Sequence, residues 1–203
     1  MEGRKILVLS TAMVAVVLFG VCLFTDSVRP STVNSPTIGP ASAPVEIVLI
    51  EDFQCPNCRT FSQKVIPNIE SEYVKTGRAR FTLVPVSFLT GSQAIANAAQ
   101  EVYRQNPSRF FPYLQELLAH EGEINAEILA RFASRVGGID LAKLQSCIAT
   151  GCHNAELKDN LNWAQEVMGS QFRTPALYIN GAPGSTFSFE AIQYQIDQIL
   201  RTK

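Results

Sequence analysis

Two short apolar runs along the chain predict buried β-strands. The first covers residues 45–53 (VEIVLIEDF) and the second covers residues 79–88 (ARFTLVPVSF), and both are rich in β-branched and other apolar residues. Between them, an apolar side chain recurs at every fourth position, which predicts a helix that begins at Pro56 and is bent by Pro67. These apolar side chains are Phe61, Val65 and Ile69. The pattern therefore predicts a strand–helix–strand unit.

The rest of the chain predicts a helical block followed by a hairpin and a last helix. Residues 91–169 favour four or five short helices, because turn-forming residues interrupt their apolar pattern at intervals. Strand character returns at residues 176–179 (ALYI), and Asn180–Gly181 is typical of a tight hairpin turn. A final amphipathic helix is expected from Ser188, whose hydroxyl suits an N-cap position. This order of elements predicts an α/β domain.

An unbroken run of uncharged, mostly apolar residues lies close to the first residue of the sequence. Residues 6–24 carry no charge, and at about 1.5 Å of rise per residue they are long enough to cross a bilayer. Arg4 and Lys5 precede the run, and such positive flanks stay in the cytoplasm. We therefore expect a signal anchor at residues 1–27, with Cys22 as an apolar membrane cysteine. The residues beyond this anchor would face the extracytoplasmic side of the bacterial inner membrane; a cleaved signal peptide is the alternative.

A proline-rich tether is predicted between this anchor and the folded domain. Residues 28–44 contain four prolines among Ser, Thr and Asn, with almost no apolar periodicity. The domain itself is expected to cover residues 45–203, with its helical insertion at about 91–170.

Charge and cysteine content narrow the possible functions. The chain has 17 Lys and Arg against 18 Asp and Glu, so it lacks the basic field that attracts nucleic acids, and we expect none as a partner. With Cys22 set aside, four cysteines remain on the oxidising side of the membrane, where disulfides persist. They fall into two close pairs, Cys55 with Cys58 and Cys147 with Cys152.

The first pair lies in the stretch EDFQCPNCRTF, between the first strand and the helix. Backbone N–H groups at a helix start lack intrahelical partners and the helix dipole adds roughly half a positive charge, so both favour a thiolate at Cys55. A substrate thiolate can attack the sulfur of Cys55 in the oxidised pair and expel Cys58, after which a second substrate thiolate releases Cys55. The dipeptide Pro56–Asn57 would tune the redox potential. This exchange needs no cofactor other than the redox-active disulfide.

The motif DFQCPNC, the motif TPALYING at residues 174–181 and the helical insertion between them resemble the DsbA-like branch of the thioredoxin superfamily over about residues 45–203. The resemblance implies a thioredoxin fold with a large helical insertion, and thiol:disulfide exchange at the first cysteine pair. It also implies a cis peptide bond between Thr174 and Pro175 that faces this pair. Because proline cannot donate a backbone hydrogen bond, the backbone of Thr174 would stay free to pair with an extended substrate.

Two positions depart from the pattern of this family. Its strongest oxidants carry histidine before the second cysteine, where this chain has Asn57, so we expect a weaker oxidant. Thioredoxin-like proteins often bury an acid six residues before the first cysteine, where this chain has Leu49. Glu51 and Asp52 lie nearby, and we expect them to be surface charges, with a proton-relay role for either as the alternative.

The second pair encloses the sequence IATG, in which Gly151 can end one helix so that another begins close by. We expect Cys147 and Cys152 to form a structural disulfide that stabilises the fold by about 2 kcal/mol. A second redox relay and free thiols are the alternatives. The two histidines, His120 and His153, are expected at the surface or at helix ends rather than as ligands, and no metal site is predicted.

Three functions remain open from the sequence alone. The first is a membrane-tethered oxidase that introduces disulfides into unfolded exported proteins and is recharged by a membrane oxidase of the DsbB or VKOR kind. The second is an isomerase or reductase of the same fold, kept reduced by a membrane electron donor, with which Thr174 is compatible. The third is a non-catalytic zinc module that uses all four cysteines, which their spacing and an oxidising compartment disfavour.

Overall fold

Within residues 35–185 and 188–202, which the computed structural model describes, the backbone forms a mixed sheet of five strands and seven α-helices. The strands are β1 (Thr37–Ile38), β2 (Val45–Glu51), β3 (Ala79–Pro85), β4 (Ala176–Ile179) and β5 (Ala182–Pro183). The helices are α1 (Pro56–Ile69), α2 (Ser92–Gln105), α3 (Phe110–Ala119), α4 (Ala126–Val136), α5 (Leu141–Thr150), α6 (Asn154–Met168) and α7 (Phe189–Arg201).

The predicted anchor at residues 1–27, with Cys22, lies outside the described residues. None of the helices in the described ranges combines the length and the apolar character that a membrane span requires.

The sheet places β2 at its centre, in the strand order β1-β3-β2-β4-β5. β2 and β3 are parallel, and the connection between them contains α1, as the strand–helix–strand prediction required. β4 pairs antiparallel with the other edge of β2 and continues into β5. The carboxyl end of β2, which leads into the first cysteine pair, is therefore flanked by β3 on one side and by the start of β4 on the other.

A two-residue strand, β1, lies in the stretch that the sequence analysis described as a tether. Thr37 and Ile38 pair antiparallel with β3, and the hydroxyls of Thr37 and Thr82 lie 3.0 Å apart. Residues 37–38 thus belong to the sheet, so ordered structure begins before Val45. A strand this short, set among prolines, offers no periodicity by which a sequence can reveal it.

Apolar side chains cover both faces of the sheet. The larger core lies between one face and helices α1 to α5 and α7, and it includes the alternate β2 residues Val45, Ile47 and Leu49. The smaller core, with Val48 and Ile50, lies on the opposite face against α6. Because a strand directs successive side chains to opposite faces, the parity of a β2 position decides which core it enters.

The turns that punctuate these elements agree closely with the sequence pattern. Asn180 and Gly181 both adopt positive φ, at 48° and 80°, which is the backbone of a type I′ hairpin turn between β4 and β5. The hydroxyl of Ser188 accepts the backbone N–H of Ala191 and caps α7. Gly151, in the left-handed region, ends α5. Five helices, α2 to α6, separate β3 from β4, at the upper end of the predicted number.

Candidate active site

Cys55 occupies the N-cap position of α1, directly after the carboxyl end of β2. Its sulfur accepts a hydrogen bond from the backbone N–H of Cys58 at 3.4 Å, in the place that a capping oxygen takes in most helices. Both cysteines are free thiols in the structure. Pro56 and Asn57 complete the first turn of the helix and are exposed.

The loop before β4 brings Thr174 and Pro175 against this helix start. The peptide bond between them is cis, and the thiol of Cys55 donates a hydrogen bond to the carbonyl oxygen of Thr174 at 3.6 Å. The side chain of Thr174 also acts on Cys58, whose pKa it lowers. The structure thus brings together four residues that the sequence marked as one site, although 119 positions separate Cys55 from Thr174.

The two sulfurs differ in accessibility and in acid–base character. Both cysteines are buried, but Cys55 is 8% exposed whereas Cys58 is 2% exposed, so Cys55 is the more accessible residue of the pair. Burial raises the pKa of Cys58 far above its ordinary value, and the negative charge of Glu51 raises it further. Hydrogen bonds from Thr174 and from the backbone of Asp52 act in the opposite direction without cancelling these effects. Cys58 therefore binds a proton strongly whenever it is reduced.

Glu51 is a buried acid beside the cysteine pair, so the expectation that it would be a surface charge was wrong. Its side chain is 1% exposed, and the hydroxyl of Ser62 on α1 donates a hydrogen bond to its Oε2 atom. Among the described residues, its Oε1 atom has no hydrogen-bond partner. Burial raises the pKa of Glu51 to about 7, against the opposing Ser62 hydrogen bond and with a further contribution from Asp52. This carboxyl can exchange a proton near neutral pH.

The alternation along β2 explains this burial. Glu51 is two residues beyond Leu49 and therefore projects from the same face as the larger core. The chain has no acid at the position of Leu49, but it has one, Glu51, two residues closer to the cysteines. The periodicity of the strand was the available signal for this residue, and a prediction based on charge alone missed it.

Asp52 is also buried, again contrary to the expected surface charge. It is fully inaccessible, and its carboxylate accepts three backbone N–H groups. Oδ1 accepts from Gln54 at 2.9 Å, while Oδ2 accepts from Phe88 at 2.9 Å and Leu89 at 3.1 Å. The side chain therefore ties the turn that carries Cys55 to the segment after β3. β2 ends at Glu51 and β3 at Pro85, two and three residues earlier than the apolar runs predicted.

We expect replacement of Asp52 by alanine to lower the free energy of unfolding by about 2–4 kcal/mol. The loss leaves buried N–H donors without an acceptor, and hydrogen bonds to a charged group contribute about 1.5–3 kcal/mol each before relaxation. Urea unfolding at neutral pH measures the effect. Asp52→Asn is the matched control: it keeps one acceptor oxygen but turns an amide towards donors, so it should lie between wild type and Asp52→Ala. Equal stability of all three proteins would contradict this role.

The second cysteine pair forms a disulfide in the helical insertion. Cys147, near the end of α5, is buried, and Cys152, in the turn before α6, is exposed; their Cα atoms lie 4.8 Å apart. His153 precedes α6, and its Nε2 atom lies 2.9 Å from Oε2 of Glu101. His120 comes directly after α3. Both histidines thus lie at helix ends.

Three comparisons place the chain among known proteins. A family model described as thioredoxin matches residues 31–198. The sequence is 26% identical over 184 residues to disulfide bond formation protein D of Bacillus subtilis, a match that covers 86% of this chain and 81% of that protein.

Solved structures give the same picture. The crystal structure of Chlamydia trachomatis DsbA superimposes with a TM-score of 0.77 at 30% sequence identity, over 83% of this chain and 93% of that one. Oxidised BdbD from Bacillus subtilis superimposes with a TM-score of 0.76 over 85% of this chain and 96% of that one. Because its sequence identity is only 24%, the similarity to BdbD supports the fold alone.

Proposed function

The chain belongs to the thioredoxin family as a DsbA-like thiol:disulfide oxidoreductase, and we propose that it oxidises cysteine pairs in exported proteins by means of Cys55 and Cys58. The observation that carries this proposal is the position of the Cys55 sulfur. It lies at the start of α1, belongs to the more exposed residue of its pair, and faces the carbonyl of Thr174 at 3.6 Å.

The proposed reaction begins with the oxidised pair. A substrate thiolate attacks the sulfur of Cys55, the bond between Cys55 and Cys58 breaks, and a mixed disulfide forms between Cys55 and the substrate. The electron pair of the broken bond stays on Cys58, which takes up a proton because its pKa is raised. The second substrate thiolate then attacks the substrate sulfur of the mixed disulfide, and Cys55 leaves as a thiolate. The substrate loses two electrons, and the enzyme ends as a dithiol.

A groove beside the cysteine pair suits an extended substrate segment. Its walls come from α1, from the loop before β4 and from the start of α7, and they mix polar, charged and apolar groups. Residues that line it include Asn57, Thr60, Lys64, Arg173, Thr174 and Pro175. Because the nitrogen of Pro175 carries no hydrogen, the backbone of Thr174 can pair with the substrate across from Cys55.

The direction of electron flow depends on the dipeptide between the cysteines. Asn57 offers an amide hydrogen bond towards a thiolate but no positive charge, so we infer an oxidase that is weaker than relatives with histidine at this position. A membrane oxidase of the DsbB or VKOR kind would recharge the dithiol. The protein would work on the extracytoplasmic face of the inner membrane, held by its N-terminal residues, and would need only its own disulfide as the redox group.

The redox state of Cys55 and Cys58 in growing cells tests the direction. Rapid acid quenching, alkylation of free thiols and mass spectrometry of the peptide that carries both residues give the oxidised fraction. Cultures treated with dithiothreitol and with diamide supply the two reference states. A mostly disulfide-bonded pair supports the oxidase, whereas a mostly reduced pair contradicts it and favours an isomerase or reductase.

We expect Thr174→Val to slow the reduction of the oxidised pair by about 3- to 10-fold, the range that loss of one hydrogen bond allows. Valine keeps the shape of threonine but cannot donate to the Cys58 sulfur as it leaves, and the pKa of Cys58 should rise further. Stopped-flow reduction by glutathione measures the rate. Thr174→Ser retains the hydroxyl and should stay close to wild type; a serine variant as slow as the valine variant would contradict the proposed hydrogen bond.

A further inference from the structure

Four side chains with metal-binding atoms meet at the second disulfide. Glu101 lies on α2, Cys147 on α5, and Cys152 and His153 in the turn before α6. Their ligand atoms all lie within 4.8 Å of one another. Three segments of the helical insertion therefore supply two sulfurs, an imidazole and a carboxylate to one point.

These groups match the donor set and spacing of a zinc site. Cys147 and Cys152 are separated by four residues, within the usual C-x2–4-C range of zinc ligands. Ligands at about 2.0–2.3 Å from one tetrahedral ion lie about 3.3–3.8 Å from each other. The present separations, all within 4.8 Å, are close to this range, and the two sulfurs would have to move apart once their bond is broken.

The imidazole of His153 is already held as a ligand would be. Its Nε2 atom faces Oε2 of Glu101 at 2.9 Å, and its Nδ1 atom lies 3.6 Å from Oε2 of Glu156. A carboxylate behind the second ring nitrogen orients metal-bound histidines in many proteins. The backbone N–H of His153 donates to Oδ1 of Asn97 at 2.8 Å, which fixes the turn itself.

Glu101 divides its two oxygens between different tasks. Its side chain is buried, and Oε1 accepts from Gln105 at 3.0 Å and pairs with Lys143 at 3.3 Å. Oε2 is directed towards His153 and lies 3.8 Å from the sulfur of Cys152. The carboxylate is thus anchored by one oxygen while the other points into the cluster.

We propose that this cluster is a redox-gated zinc site, formed by Cys147, Cys152, His153 and Glu101 when their disulfide is reduced. The thiolate, and not the disulfide sulfur, is the metal ligand, so the oxidised protein has only two donors for the ion. This departs from the sequence-based expectation of a purely structural disulfide and no metal.

A dithiol can reduce the disulfide between Cys147 and Cys152 and so convert the oxidised protein into the form that binds zinc. A thiolate of the reductant attacks the sulfur of Cys152, the more exposed residue of the pair, Cys147 leaves, and the second thiol of the reductant resolves the mixed disulfide. The reductant becomes a disulfide, and both cysteines become thiols. Binding of Zn²⁺ then releases the two thiol protons and leaves two thiolates on the ion.

The test uses the full-length chain in mild detergent, without a histidine tag, in a Cys55→Ser/Cys58→Ser background that removes the other thiol pair. The protein is reduced, freed of reductant under argon and titrated with Co²⁺ and with Zn²⁺. We expect one Co²⁺ per chain with a thiolate-to-cobalt charge-transfer band, and a Zn²⁺ Kd tighter than about 1 µM. Excess Zn²⁺ should raise the Tm of the reduced protein by roughly 5–10 °C and leave that of the oxidised protein unchanged.

Three variants separate this site from adventitious binding. Cys147→Ala/Cys152→Ala should lose the charge-transfer band. Glu101→Gln keeps the size of the side chain and both cysteines, so it tests the site even if the double alanine variant fails to fold, and we expect at least tenfold weaker binding. Glu156→Gln should weaken binding about 10-fold through His153. Equal Zn²⁺ affinity of the oxidised and reduced proteins, no binding by the reduced protein, or affinity unaffected by Glu101→Gln would each overturn the proposal.

Discussion

Replacing Cys55 with serine is expected to reduce thiol:disulfide exchange to the uncatalysed rate, the largest loss that we anticipate for any single substitution. Cys55 is the more exposed residue of the pair, at 8% against 2% for Cys58, so we expect the incoming thiolate to attack its sulfur. A hydroxyl at this position cannot form the mixed disulfide. Oxidation of a fluorescent dithiol peptide by the purified, pre-oxidised protein measures the rate.

Cys58→Ser is the matched comparison for Cys55→Ser. It also cannot form the internal disulfide, but its Cys55 thiolate can attack a substrate disulfide, expel one substrate thiolate and stay bonded to the other sulfur. Without Cys58 to resolve it, this mixed disulfide should persist and trap the substrate. The Cys55→Ser variant should trap none, because the remaining thiol is buried. If the two variants trapped substrates equally, the assignment of Cys55 as the attacked sulfur would be wrong.

Glu51→Gln is expected to change both the stability of the protein and the pH dependence of its reaction. Folding raises the pKa of Glu51 from 4.5 to about 7, chiefly by burial. A group whose pKa is raised in the folded state contributes stability that is fully present below pH 4.5 and is lost as the pH rises through about 7. At about 1.4 kcal/mol per pKa unit, the amount lost is on the order of 3 kcal/mol.

The free energy of unfolding of Glu51→Gln should therefore increase relative to that of wild type as the pH rises. Urea unfolding should give similar free energies for both proteins near pH 4, with Glu51→Gln more stable by up to about 3 kcal/mol at pH 8. Ser62→Ala is the matched control, because loss of the hydroxyl that bonds the carboxylate raises the pKa of Glu51 further. Its stability should begin to fall at the same pH as that of wild type but continue to fall up to a higher pH. A constant difference between wild type and Glu51→Gln at every pH would contradict a titrating buried carboxyl.

The reaction provides a second, independent measure of Glu51. Cys58 must take up a proton as it leaves, and a protonated carboxyl beside it can supply one. The attacking thiol ionises in the same way in both reactions. Dividing the wild-type rate by the Glu51→Gln rate at each pH therefore cancels its contribution to the pH dependence. We expect this ratio to be about 10 or more at pH 6 and to fall towards about 1 above pH 8. A ratio that does not vary with pH would leave Glu51 with a structural role only.

The sequence predicted those parts of the fold whose signals are local. The apolar run of β2, the Asn180–Gly181 turn and the Ser188 cap each act through neighbouring residues, and each occurs where the pattern indicated. Residues 37–38 were missed because their place in the sheet depends on pairing with β3. Thr37 pairs with Thr82, which lies more than forty positions further along the chain. Pairing at that range leaves no mark on so short a segment.

The candidate site divides in the same way. Cys55 and Cys58 are recognisable through their spacing and their place between a strand and a helix, whereas the burial of Glu51 and Asp52 was predicted wrongly. Charge favours the surface for both residues, but tertiary partners decide otherwise. Ser62 on α1 bonds Glu51, and backbone donors beyond β3 hold Asp52. These hydrogen bonds compensate for burying the two carboxyl groups, and they form between segments that are distant in the sequence.

The contact between Cys55 and Thr174 spans 119 positions of the chain, with the six helices α1 to α6 in between. A ribosome adds about 5–20 residues per second, so some 6–24 s separate the synthesis of the two halves of the redox centre. Through that interval the nascent cysteines exist without the loop that will shield and orient them. A prematurely terminated chain would therefore carry the cysteine pair without the loop at Thr174 that we propose as its substrate-binding surface.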